Sequence, residues 1–256
     1  MKLFLCGLDG ATFKVLARWL QSEELPFLSE VFKYGARGCL EVFFPTFSPM
    51  EWACMYTGKN PGKLGVFALF QLEDPRLLKR IKLVNALAIP SLALWELLSA
   101  YDVRVGVVNI PATYPPRKVN GFLISGFMTP PGAVDFFYPP DIRDVLLAHG
   151  YKIDIESIMR LGDFPDKSVD KKAILKEQFD ITKRRIRVVL ELLRRFELDL
   201  LAINFKCIDN IQHLFWGEWD VVLDIYKKVD NYAERIFNKM DASNIIVVSD
   251  HGFHEA

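Results

Sequence analysis

Five short stretches of near-continuous hydrophobicity stand out along the chain: KLFLCGL (2–8), VRVGVVNI (103–110), GFLISGF (121–127), LDLLAINF (198–205) and NIIVVS (244–249). Runs that are apolar throughout, rather than alternating with polar residues, mark parallel strands covered on both faces. Between them, apolar residues recur at helical spacing over 12–21, 26–34, 49–57, 91–101, 140–149, a long stretch near 169–196, and 219–240. Strands alternating with helices predict an α/β fold, a layered sheet of mostly parallel strands flanked by helices. The middle departs from this rhythm. Residues 111–140 are crowded with proline and 150–168 is polar and irregular. Proline fixes the backbone and removes a donor, so 111–168 is predicted to be a cap or insertion within a single domain spanning 1–256.

Composition narrows the function classes. Lys plus Arg equals Asp plus Glu, at 32 each, so there is no basic footprint for a nucleic acid polymer or an anionic membrane. The basic stretch KRRIRVVLELLRRF (183–196) alternates with apolar residues, as a solvated helix face does. No run approaches the length of a membrane span, and the opening MKLFLCGLDG meets Asp9 too soon for a signal peptide. Cys6, Cys39, Cys54 and Cys207 are widely spaced with no C-x-x-C pair. Buried, reduced thiols and a cytoplasmic location are therefore expected.

In open parallel sheets, ligands gather outside the carboxyl ends of the strands, and four segments there carry candidate chemistry. Asp9 follows the first strand and precedes Gly10; alone, it reads more readily as a turn former or helix cap than as a catalytic group. Ser48 precedes Pro49 at a predicted helix start. It is either a plain cap or a nucleophile at a helix N-terminus, where free N–H groups suit an oxyanion. Asp209 and His213, four apart just past the fourth strand, fall on one face of a helical turn and can share a cation; a capping aspartate and an amphipathic histidine are the plainer alternative. Asp250 and His251 follow the fifth strand, and Gly252 permits the irregular backbone that adjacent ligands need. Converging aspartates repel unless cations neutralise them. Oxygen and imidazole ligands suit zinc, manganese or iron, and paired ions clamp a phosphoryl group.

The ordered segments GLDGATF, PTFSPMEWACMYTGKNPGK, VNIPATYPPRKVNGFLISGFMTP, IDNIQHLFW and VVSDHGF resemble the type I phosphodiesterase / nucleotide pyrophosphatase family of the alkaline phosphatase superfamily, along the whole chain. The resemblance implies an alkaline-phosphatase-like sheet and two divalent metal ions, usually zinc, with manganese an alternative. It assigns Asp9, Asp250 and His251 to one metal, with Ser48 bridging to it as the nucleophile. Asp209 and His213 would hold the other ion, which activates water to hydrolyse a phospho-enzyme intermediate. N–H groups following Ser48 and Pro49 would stabilise the charge that develops at phosphorus. The implied activity is hydrolysis of phosphodiester or pyrophosphate bonds in a small molecule or nucleotide.

Three departures from the family pattern matter. Relatives commonly continue beyond the Asp-His-Gly motif and add a histidine to the Asp209–His213 ion, whereas here His254 follows His251 closely and His149 reads as structural. Leu64 and Leu69 stand where nucleotide pyrophosphatases often have His-Gly-Ile and an oxyanion-binding Asn. Ser48 replaces the more frequent Thr. The alternative reading is a truncated or split-gene remnant that keeps the fold and holds metal or phosphate with little turnover. A sulfatase is disfavoured because SPMEW lacks the arginine of the C/S-x-P-x-R motif. A phosphomutase is disfavoured by the nucleophile region.

Overall fold

The computed structural model describes residues 2–72, 81–155 and 170–254. Its main sheet has six strands in the order β6-β5-β4-β7-β1-β8. They are β1 (Leu3–Gly7), β4 (Val105–Val108), β5 (Gly121–Ile124), β6 (Phe137–Tyr138), β7 (Leu200–Asn204) and β8 (Asn244–Val248). All neighbours are parallel except β5 and β6, which pair antiparallel. A separate two-stranded ribbon joins β2 (Phe70–Leu72) to β3 (Ile81–Leu83).

All five predicted strands are present, and their apolar runs divide between two faces. Phe4, Cys6, Phe122, Ile124, Leu201 and Ile203 enter one core. Leu3, Leu5, Val105, Val107, Leu123 and Leu200 enter or line the other. The first core is covered by α1 (Phe13–Gln21), α2 (Pro26–Tyr34), α6 (Arg143–Ala148), α7 (Lys171–Arg195), α8 (Cys207–Phe215) and α9 (Trp219–Met240). The second is covered by α3 (Ser48–Thr57) and α5 (Leu94–Ala100), with the single turn α4 (Pro61–Leu64) beside them. Helix starts follow local chemistry: Thr12 caps α1 by accepting from the Lys14 N–H, and Asp170 caps α7 by accepting from the Lys172 and Ala173 N–H groups.

Two expectations change. β8 is not fully buried, because it lies at the sheet edge next to β1 alone, and Ile246 is 48% exposed. Burial of the thiols does not extend to Cys39. All four cysteines are free; Cys6, Cys54 and Cys207 are buried and Cys39 is exposed. Of the predicted cap, residues 111–120 connect β4 to β5, with Ala112 and Thr113 buried, and 156–169 lies outside the described residues. Among the described residues, no helix is long and apolar enough to cross a membrane.

Candidate active site

The site begins with strand adjacency. β1 lies between β7 and β8, with Gly7 in register with Asn204 on one side and Val248 on the other. Whatever follows these three strands must therefore meet: Asp9 after β1, Lys206 and Asp209 after β7, Asp250 and His251 after β8. Gly10, at φ +70°, turns the chain after Asp9. Its N–H donates to Asp250 Oδ1 at 3.1 Å, and its carbonyl accepts from Gln212 Nε2 at 2.8 Å. The β1 and β8 loops are thereby tied together, and α8 is tied to both.

Asp9 is fully buried. Its Oδ2 accepts from Asn204 Nδ2 at 2.6 Å and from Trp52 Nε1 at 3.2 Å. That fixes the carboxylate and turns Oδ1 to the centre, where Ser48 Oγ lies at 3.3 Å. The same Ser48 Oγ is 2.9 Å from His251 Nε2. Nδ1 of His251 faces the Gly252 carbonyl at 2.9 Å. A carbonyl can only accept, so Nδ1 carries a proton, and Nε2 accepts from Ser48 when the ring is neutral and donates to it when the ring is charged. Ser48 occupies the first turn of α3, whose following N–H groups at Met50 and Glu51 both go to the Phe47 carbonyl at 3.0 Å. This corrects the expectation of free donors there: α3 presents its dipole, but those two N–H groups are already engaged.

On the other side, Asp209 is buried in the first turn of α8. Its Oδ2 accepts from Lys206 Nζ at 2.8 Å, and its Oδ1 lies 3.4 Å from His213 Nε2. Burial alone would raise the Asp209 pKa, but Lys206 and His213 hold the carboxyl well below the usual range. Asp250 behaves oppositely: burial and the neighbouring Asp9 charge push it up to about 7. Burial opposes the charge of His251, yet Asp250 and Asp9 raise its pKa. Lys206 is also desolvated, and Asp209, Asp9 and Asp154 keep its ammonium charged.

The donor set fits a divalent cation. Asp9, Asp209 and His251 each offer a ligand atom, and these atoms lie within 4.8 Å of one another. Asp250 Oδ2 and Asp209 Oδ1 are buried yet accept no hydrogen bond, a costly arrangement that a cation would relieve. Of the six residues singled out from the sequence, Asp9, Ser48, Asp250 and His251 converge with Asp209. His213 stands at the exposed rim, its ring 4.7 Å from that of Phe253. His254 is exposed and His149 ends α6. Leu64 is buried in the core and Leu69 packs against it, so neither offers a polar contact. A cavity of about 290 Å³ opens beside Asp250, walled by Leu40, Phe43, Cys54 and Met55, and its size suits a small ligand.

Sequence reasoning missed Trp52, Asn204, Lys206 and Gln212. Asn204 and Lys206 flank the strand end that was identified, and that position was the one available signal. Trp52 lies one helical turn after Ser48 on α3, a spacing that places both on one face.

The family model for type I phosphodiesterase / nucleotide pyrophosphatase matches residues 3–256. No curated protein matches the chain. Among solved structures, phosphonoacetate hydrolase from Sinorhizobium meliloti 1021, in complex with phosphonoacetate, superposes with TM-score 0.71 at 17% identity, covering 100% of this chain and 58% of that one. Murine ectonucleotide pyrophosphatase / phosphodiesterase 5 gives TM-score 0.59 at 14% identity, covering 98% of this chain and 57% of that one. An inactive form of the murine protein has been solved in complex with AMP. The chain thus spans under three fifths of the length of these structures.

Proposed function

The chain belongs to the type I phosphodiesterase / nucleotide pyrophosphatase family, and on that footing we propose that it is a metal-dependent phosphohydrolase using Ser48 as nucleophile. The observation that carries this reading is the placement of Ser48 Oγ between His251 Nε2 at 2.9 Å and Asp9 Oδ1 at 3.3 Å. A hydroxyl aimed by two groups of this kind is held for attack rather than spent on capping a helix.

Asp9, Asp250 and His251 would hold a divalent cation, zinc or manganese by the chemistry of the donors. Bound there, the cation supplies positive charge that lowers the pKa of the Ser48 hydroxyl and offsets charge on the phosphoryl group. The chain's own residues do the rest. Asn204 and Trp52 orient Asp9, and the Gly252 carbonyl fixes the His251 ring. Ser48 Oγ loses its proton and bonds to phosphorus as the bond from phosphorus to the leaving oxygen breaks and that oxygen takes up a proton, leaving on Ser48 a phosphoryl group that still carries its second ester where the substrate is a diester. Water then displaces Ser48 in a second step and releases phosphate or its monoester.

The substrate class is a small phosphate ester or nucleotide, in keeping with the phosphonoacetate and AMP held by the solved neighbours. A cytoplasmic setting is supported by the four free cysteines. The test is turnover of bis(p-nitrophenyl) phosphate and p-nitrophenyl phosphate with zinc or manganese, wild type against Ser48→Ala. Turnover that depends on Ser48 is expected, and equal turnover in both proteins would refute the proposal. Preference for the diester would assign phosphodiesterase activity, and preference for the monoester would assign a phosphatase.

A further inference from the structure

The family resemblance implies two metal ions, but the Asp209 side of this centre already contains a cation supplied by the chain. Lys206 lies just past β7 and is almost wholly buried, with a side-chain exposure of 7%. Its Nζ is 2.8 Å from Asp209 Oδ2 and 3.7 Å from Asp9 Oδ1. The ammonium also sits over the Phe127 ring, 4.8 Å from its centroid. Lysines are seldom buried to this degree unless paired, and this one is paired with the two carboxylates that face each other across the centre. Its stem lies in the protein interior, so the charge is built in, unlike a mobile surface lysine that visits the site.

An ammonium at hydrogen-bond distance from a carboxylate neutralises it as a metal ion would, and it repels a second cation brought to the same group. The charges point the same way. Asp9, Asp209 and, once a bound ion displaces its proton, Asp250 bring three negative charges to the centre; one divalent ion together with Lys206 balances them. A second divalent ion would leave two positive charges in excess in a buried site.

We propose that Lys206 is the resident cation of the Asp209 side, so that the centre is mixed: one divalent ion at Asp9, Asp250 and His251, and one ammonium at Asp209. This rests on the reading of the Asp9 side as a metal site. The rival arrangement is a two-metal centre in which Lys206 braces Asp209 Oδ2 while Oδ1, which accepts no hydrogen bond, and His213 hold the second ion.

Equilibrium dialysis against Zn²⁺ or Mn²⁺ followed by elemental analysis separates the two, using wild type, Lys206→Met and Asp209→Asn, with circular dichroism to verify folding. The mixed centre gives one ion per chain in wild type and in Asp209→Asn, and two in Lys206→Met. Two ions in wild type, with loss of one in Asp209→Asn, would overturn the inference and leave the proposed function standing. An unchanged count of one in a folded Lys206→Met would also overturn it. If Lys206→Met does not fold, the Asp209→Asn count still decides. No ion bound by wild type or Lys206→Met would overturn both this inference and the metal-dependent function.

Discussion

Ser48 Oγ stands 2.9 Å from Nε2 of His251, although 203 residues separate them along the chain. The imidazole meets the hydroxyl with Nε2, because its other nitrogen is turned to the Gly252 carbonyl. Replacing Ser48 by Ala removes the proposed attacking atom and leaves the ring in place. Ester hydrolysis is expected to fall by about a thousandfold or more, on the scale seen when a covalent nucleophile is deleted. Ser48→Thr keeps the hydroxyl and should retain turnover within about tenfold of wild type. Steady-state kinetics on the chromogenic diester measures both.

Asn204 acts through Asp9. Its Nδ2 donates at 2.6 Å to the Asp9 oxygen that faces away from the centre. Asn204→Leu should leave the fold intact and weaken divalent metal binding about 10- to 100-fold, the usual cost of losing a group that orients a ligand. Isothermal titration calorimetry with Zn²⁺ reads the affinity, and an unchanged Kd would show that Asp9 needs no such support.

Gly7 is packed so closely that a Cβ there would come within 2.3 Å of Trp52 Cη2. Gly7→Ala must push the indole away, and with it the N–H that reaches Asp9. A loss of about 1–3 kcal/mol is expected from overpacking, together with weaker metal binding. Urea denaturation measures the first effect and metal titration the second. Alanine tolerated without change in either would contradict the packing described.

Arg104 and Asp199 pair at the opposite end of the sheet, by two side-chain bonds of 2.9 Å and one of 3.0 Å from the Arg104 N–H. The Arg104 side chain and N–H hold the Asp199 carboxyl down at about 2. The native state thus binds fewer protons here than the unfolded chain, so the contribution to stability is full above pH of about 4 and is lost as pH falls through about 2. The pair is partly exposed, so solvent screening limits its worth. Asp199→Asn should lower Tm by a few degrees near pH 7, with a gap that narrows on acidification. A gap that widened would reverse the sign argued here.

Chelation supplies a further check. A ligand bound only by the native state stabilises it by about 2.7 kcal/mol at a hundredfold excess over Kd. Adding EDTA to metal-loaded protein should lower Tm, whereas the metal-loaded Asp250→Asn variant should respond far less.

Much of the fold could be read from hydrophobic pattern because parallel strands leave an uninterrupted apolar signature. β6 was hidden because it is two residues long and adjoins Pro139 and Pro140, and β2 and β3 because each has three residues. α8 left no start signal: Lys206 precedes it with helical dihedrals and no side-chain cap, so only the Asp209–His213 spacing betrayed the helix. The burial of β8 was overestimated because hydrophobicity does not tell an edge strand from a central one. Ligand types at strand ends are conspicuous, whereas Trp52 and Asn204 are ordinary residues for a helix and a strand. Their importance comes from what packs opposite them, which the linear sequence does not contain.

The hydrogen bond from Gly10 to Asp250 spans 240 residues, and it depends on β8 docking beside β1. Such long-range closure is slow, since the loop entropy must be met before the contact repays it. A nascent chain that has made β1, α3 and β7 still lacks Asp250 and His251, so the centre can close only after β8 has been made. Metal capture at this site would therefore report, in real time, the moment at which the two ends of the described chain come together.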